Sequence, residues 1–318
     1  MRATFTCCLL LAAALSSPAA AAEALTGTYA LPDGMPKVSA TLTATPGADP
    51  KQVLDIAMTP LGASAPAAAY ETELSKQLHV IAVSGDLRQF VHEHGEAPAA
   101  NGHFSIPFTF PQQGLWHIYA DGVPKGLGQQ VMRFELTLGS AGPGSAPARL
   151  APTGTTGVDG NYGVKFDGFG LKADQEAQLG LHLLRNGKAA PDVTPFLGVA
   201  AHAVFIDAAD LTYVHVHAAP TEAPAAGGTG AGMQRDMTGM APMPGMAAPP
   251  STALAVPAAA DPAMDGMAGM GAPMPDGANV PPDLTMHVKA PKAGTYLLWI
   301  QFNGGGQVRT VPFVVAVG

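Results

Sequence analysis

The sequence predicts an all-β protein built as two tandem immunoglobulin-like or cupredoxin-like antiparallel sandwiches. Three observations carry this. Gly and Pro together make up about a fifth of the 318 residues, while charged residues are only 13%. Short apolar or alternating runs recur between turn residues. A long sequence motif occurs twice.

The motif is H-x10-[FY]-V-H-x-H. Its first copy runs from His79 through Phe90-Val91-His92-Glu93-His94. Its second runs from His202 through Tyr213-Val214-His215-Val216-His217, 123 residues later. Each copy carries an Asp-Leu pair before the aromatic residue, Asp86-Leu87 and Asp210-Leu211, shifted by one position as a turn tolerates. The flanks match too, with Gly114-Leu115-Trp116-His117-Ile118-Tyr119 parallel to Gly294-Thr295-Tyr296-Leu297-Leu298-Trp299.

In the first copy strands are expected at 37–44, 53–60, 78–84, 104–110, 115–120 and 131–138. In the second they are expected at 162–169, 178–184, 201–206, 212–217, 284–288, 295–302 and 308–317. Turn residues such as Asn101-Gly102 and Pro111-Gln112-Gln113-Gly114 separate them. About seven short strands per ~100 residues, without helical periodicity, is the pattern of a sandwich.

The domain organisation follows. Residues 1–22 read as a cleaved secretory signal peptide, with Arg2, an apolar run from Cys7 to Leu15, and Ala20-Ala21-Ala22 before Glu23. Residues 23–139 form the first sandwich, 140–160 a linker, and 161–217 plus 283–318 the second sandwich. Residues 218–282 are an Ala/Gly/Pro/Met-rich insertion too poor in large apolar side chains to fold, and are expected to be disordered. The h-region is too short to span a bilayer, so the mature chain is expected in the periplasm or secreted, with no transmembrane segment. Cys7 and Cys8 are the two cysteines and leave with the signal peptide. The mature chain then lacks disulfides, thiolate metal centres and cysteine nucleophiles. A net charge of −8 with no basic run excludes a nucleic-acid partner.

Nine of the 14 methionines lie in one stretch: Met233, Met237, Met240, Met243, Met246, Met264, Met267, Met270 and Met274. A helical core stripe would use such spacing, but Pro242, Pro244, Pro273 and the intervening glycines break it. Thioether sulfur is soft, selects Cu(I) and needs no deprotonation. Copper capture is therefore the leading expectation. An adaptable hydrophobic binding surface, an oxidant scavenger and unselected low-complexity sequence are the alternatives.

Six of the ten histidines lie in the repeated motif: His79, His92, His94, His202, His215 and His217. Residues i and i+2 of a strand share a face, so each H-x-H pair can offer two imidazoles to one ion. His79 and His202, one strand earlier, can add a third. His103, His117 and His287 are further candidates. Three imidazoles suit Cu(II) or Zn(II). The competing reading is polar packing, with Asp86 and Asp210 capping the turns or binding a nearby histidine. There is no G-x-S-x-G, H-E-x-x-H, P-loop or dinucleotide fingerprint, and no evident carboxylate pair, so no enzyme is expected.

The string L-H-V-I-A-V-S-G-D-L-R-Q-F-V-H-E-H, with the later F-x-F-P-x-x-G-L-W-H-I-Y-A-D, resembles a family of secreted bacterial β-sandwich domains. The family is called YtkA-like or cupredoxin-like and occurs with heavy-metal-handling proteins. The likeness covers about 60–138, and more loosely 175–217 with 283–317. By position it implies His79, His92 and His94, and His202, His215 and His217, as the family's histidines. The family's H-x-H-P is here His94-Gly95 and His217-Ala218. The Met-rich insertion is similar to the methionine tracts of periplasmic copper-resistance proteins. The expectation is thus a periplasmic, non-enzymatic copper-binding protein, with Cu(I) on the Met-rich loop and Cu(II) on the H-x-H strands. Its partners would be copper and an envelope copper-handling protein. The alternative is a structural or protein-interaction module without a metal.

Overall fold

The computed structural model describes residues 24–45, 47, 49–73, 75–139, 150–221 and 273–318. The signal-peptide expectation, and the expectations for Met233 through Met270, lie outside them. Every regular element among the described residues is a β-strand.

In the first module, β1 (Ala24–Thr26), β3 (Val38–Thr43), β4 (Lys51–Pro60) and β8 (His103–Thr109) form one sheet in the order β1-β3-β4-β8. The facing sheet has the order β2-β10-β9-β6-β7. Its strands are β2 (Thr28–Tyr29), β6 (Leu78–Ser84), β7 (Phe90–Gly95), β9 (Gly114–Pro124) and β10 (Gln130–Leu138), and β5 (Tyr70–Glu71) pairs with the end of β9. Leu42, Leu54, Ile56, Phe104, Phe108, Trp116, Ile118 and Phe134 fill the space between the sheets.

The second module repeats the plan with β11 (Thr156–Asp159), β12 (Tyr162–Phe166), β13 (Glu176–Arg185), β14 (Lys188–Ala189) and β15 (Val193–Thr194). They are followed by β16 (Ala201–Asp207), β17 (Tyr213–Pro220), β18 (Asp283–Lys289), β19 (Gly294–Gly304) and β20 (Gln307–Val317). All its pairings are antiparallel. Here β17 runs on past its histidines, and Ala218–Pro220 pair with Met286–Leu284 of β18. This joins the two layers into one continuous sheet. β7 stops at Gly95, whose Cα sits so close to the Phe104 ring that an added Cβ would lie 2.5 Å from Cδ1.

The long strands follow the expected apolar runs closely. The short strands β1, β2, β5, β14 and β15 were not anticipated. Neither was β11, which falls inside the stretch expected to be linker. These pieces of two to four residues carry too little periodicity to signal themselves, and pairing with a longer strand creates them.

β6 and β16 are buried along their whole length. Leu78, Val80 and Ala82 of β6 point into their own module's core, while Ile81 and Val83 belong to a third apolar cluster. In β16, Ala201, Ala203 and Phe205 point into their module, and Val204 and Ile206 join the third cluster. β9 and β19 divide likewise, with Tyr119, Leu297 and Trp299 on the shared side. The third cluster is the junction between the modules: each uses the outer face of its β6-type sheet to cover the other's. A strand covered on both faces is apolar at successive positions, which is the pattern of L-H-V-I-A-V.

The junction has a pseudo-twofold plan. Tyr119 stacks on Tyr213 with ring centroids 5.0 Å apart, and the equivalent pair, Trp299 on Phe90, stacks at 5.0 Å. Leu87 and Leu211 adopt positive φ (59° and 66°) in the two motif turns. That conformation is uncommon for leucine. It lets the Leu211 carbonyl accept from the Tyr119 hydroxyl at 2.9 Å.

Trp299 lies in the junction and Trp116 in the first module's core, so a Trp116→Phe background makes Trp299 the reporter of docking. In it, Phe90→Ala is expected to red-shift the emission and lower unfolding stability by about 3–5 kcal/mol. An unmoved spectrum with a change under about 0.5 kcal/mol would contradict the stacked junction.

Candidate metal centre

Strand register builds the site. His79 pairs with His94 and with Asp121 on its two sides, while His202 pairs with His217 and with Gln301. Asp121 and Gln301 therefore hold equivalent places in the two modules. Two residues along each second strand, His92 and His215 follow on the same face as His94 and His217. All six imidazoles sit on the faces that meet at the junction, beyond the aromatic stacks.

Docking brings both motifs together. The centroids of His79, His92, His202 and His215 are separated by 5.5 Å (79–92), 6.0 Å (79–202), 5.3 Å (79–215), 5.4 Å (92–202), 5.8 Å (92–215) and 5.5 Å (202–215). Six nearly equal edges describe a slightly irregular tetrahedron with two corners from each module. His94 lies 4.3 Å from His92 and 5.0 Å from His79. His217 lies 4.6 Å from His215 and 4.8 Å from His202. Ligand atoms of His79, His202 and His215 fall within 4.8 Å of one another, as do those of His79, His92 and His94.

Outer partners orient the rings. His92 Nδ1 lies 2.9 Å from Gln301 Oε1 in the other module, and Gln301 Nε2 donates to Thr310 Oγ1. The Gln301 oxygen is thus the acceptor, His92 carries its proton on Nδ1, and its Nε2 is a lone pair. His202 Nε2 donates to the Phe196 carbonyl at 3.0 Å, leaving Nδ1 as a lone pair. His215 Nδ1 faces Asp121 Oδ2 of the other module at 3.5 Å, a contact that favours the proton on Nδ1. Asp121 also accepts from Tyr213 and from Gln129. At the place equivalent to Phe196, the Glu73 carbonyl raises the basicity of His79. Toward the centre, His79 Nδ1 is 3.3 Å from His92 Nε2, and His202 Nδ1 is 3.2 Å from His215 Nε2. The Nε2 atoms of His79, His94 and His217 are buried without a hydrogen-bond partner.

Burial disfavours the imidazolium form of every ring. Desolvation, reinforced by the neighbouring His92 ring, lowers His79 to about 4, and desolvation with His215 lowers His92 to about 3. Burial holds His94, His202, His215 and His217 well below the usual histidine range. Desolvation raises the Asp121 carboxyl, and it pushes Glu73 to about 8 with help from the Asp121 charge. The cluster is a set of neutral nitrogen donors with one carboxylate against it.

The other histidines stand apart. His103 pairs with Asp55 at 2.6 Å in the opposite sheet, and His287 is exposed on β18. His117 shares the junction-side face of β9. It pairs with Val83, four residues from the His79–Asp121 position, roughly 13 Å along the strand. His182, which the sequence reading passed over, lies between Asp283 (2.7 Å) and Asp167 (3.0 Å) as an ion pair. Asp86 and Asp210 do not reach the histidines. Asp86 accepts from Ser84 Oγ and the Arg88 amide, and Asp210 from Thr212, so both cap their turns. Asp121, Gln301, Phe196 and Glu73 also went unforeseen. Their repeat positions were legible, but nothing along one strand says what faces it from another module. Of the clustered methionines, Met274 is described: its amide donates to Gly198 in the loop that carries Phe196, and its side chain packs on the second core.

Because the folded protein holds these rings neutral and the unfolded chain does not, the unfolded state binds more protons below about pH 6.5. Stability is therefore expected to fall as pH drops from 7 toward 4, by about 1.4 kcal/mol per pH unit for each such histidine. Urea unfolding across this range measures it. His92→Gln should flatten the slope by close to one proton, and a wild-type profile flat from pH 7 to 5 would contradict the burial of neutral imidazoles.

Residues 156–246 and 271–318 match the family profile of a domain of unknown function, DUF8832. The match comprises the second module, and it breaks between 246 and 271, within the Met-rich stretch. No curated protein matches the chain.

Proposed function

We propose that this is a periplasmic, non-enzymatic copper-binding protein acting in copper tolerance or transfer. The observation that carries the reading is the meeting of both H-x10-[FY]-V-H-x-H motifs in one junction of neutral imidazoles, where two groups of three ligand atoms that share His79 each fall within 4.8 Å of one another. Burying so many polar rings is costly unless their nitrogens gain partners. A cation that takes imidazole supplies one to the nitrogens that face each other inside the cluster. The methionine clustering and the resemblance to heavy-metal-associated YtkA-like domains support copper as that cation. In this reading Met233 to Met274 capture Cu(I) through soft sulfur donors. The stretch connects β17, which carries His215 and His217, to the Phe196 loop that Met274 joins at Gly198. Its two ends thus reach the fold through elements that hold site histidines.

The His92–Gln301 contact across the junction favours a second reading, in which the histidines only fasten two envelope modules together. Titrating the full chain with Cu(I) against a competing chelator, with and without residues 233–274, separates the two. Copper binding predicts several equivalents for the full chain and fewer after deletion. Negligible uptake by both forms would leave the fastening role alone.

A further inference from the structure

Resting on that metal-binding reading, we propose that the histidine cluster is one closed centre, in which His79, His92, His202 and His215 hold a single d10 cation, Cu(I) or Zn(II), tetrahedrally across the two modules. The sequence suggested up to three imidazoles in each module for Cu(II) or Zn(II). The geometry points elsewhere.

Metal–nitrogen bonds of about 2.0–2.1 Å in a tetrahedron place ligand nitrogens about 3.3 Å apart and imidazole centroids about 5.2 Å apart. The two inward nitrogen pairs stand at 3.3 and 3.2 Å, and the six centroid separations run from 5.3 to 6.0 Å. Ligand atoms of His79, His202 and His215 already lie within 4.8 Å of one another, and the His92 ring moves in beside His79 to complete the set. His202 Nδ1 and His215 Nε2 face each other as lone pairs, because the Phe196 carbonyl and Asp121 take the protons at their far nitrogens. Two such lone pairs repel without a cation between them. Gln301 fixes the His92 lone pair in the same sense. Four nitrogens with no open corner make a holding site rather than a reactive one. Tetrahedral nitrogen suits d10 ions, whereas Cu(II) prefers a tetragonal arrangement.

The outer partners are exchanged between modules: Gln301 of the second orients His92 of the first, and Asp121 of the first faces His215 of the second. Gln301 is thus a positioning residue for a ligand 209 positions earlier. Such partners fix ring orientation and typically change metal affinity by about 10–100-fold. The ion acts as a clasp: it binds where the modules dock, and its binding stabilises the docked form.

Zn(II) is the probe, because thioethers of the Met-rich stretch are poor ligands for it and the count reads the histidines. The full chain is expected to bind one Zn(II). His92→Ala and His215→Ala should each lower affinity about 100-fold or more, with the double variant no weaker than either single. His94→Ala and His217→Ala should keep one ion within about 10-fold. Gln301→Ala should lose about 10–100-fold with Trp299 emission unchanged, and Gln301→Glu should restore binding. X-ray absorption should show four nitrogen neighbours. Two ions per chain, with His92→Ala and His215→Ala each removing one, would overturn the shared centre while leaving metal binding intact. Failure of the full chain to bind either Zn(II) or Cu(I) would overturn the metal reading itself.

Discussion

The structure depends on one contact, the docking of two duplicated sheets through their outer faces. Each face carries aromatic and aliphatic residues along most of its length and histidines at one end. Tyr119 on Tyr213 and Phe90 on Trp299 set the spacing of the contact. Three of the six histidines, His79, His92 and His202, are then buried, and His94, His215 and His217 are half-buried. His79 and His202 are 1% and 0% exposed. Their neutrality, their crowding and their orphaned nitrogens all follow from that docking.

Duplication made the arrangement nearly symmetric, and the departures from symmetry are instructive. At equivalent places next to the cluster, the first module has Asp121 and the second Gln301. The carboxylate stands within reach of His215, Tyr213 and Gln129, while the amide bridges His92 and Thr310. A carboxyl on one side and an amide on the other make the two halves chemically unequal, although their backbones repeat. The other departure is β17, which outruns β7 and pairs with β18 before the chain enters its Met-rich stretch. The second module's layers are thereby tied together at the point where a long connection would otherwise loosen them.

The stacks and the histidines also divide the work. Apolar stacking is strong but indifferent to small sliding, whereas hydrogen bonds such as His92 to Gln301 and Tyr119 to the Leu211 carbonyl fix the register. Leu211 accepts a left-handed backbone to present that carbonyl. This is local strain held in place by the packing around it.

Much of this was legible in the chain itself. Apolar runs, turn residues and the double motif determined two antiparallel sandwiches, because strand periodicity and turn chemistry are local properties. The i, i+2 spacing likewise put His92 with His94 and His215 with His217 on common faces. What the sequence left open was whether six histidines made two sites, one site or none. Only the tertiary structure decided that the modules dock through the histidine-bearing faces. It alone placed Gln301 beside His92 and Asp121 beside His215, and kept His117 away despite its junction-side position. The physical reason is that burial and ligand geometry are set by distances across an interface, and residues more than a hundred positions apart leave no periodic trace of one another in either strand.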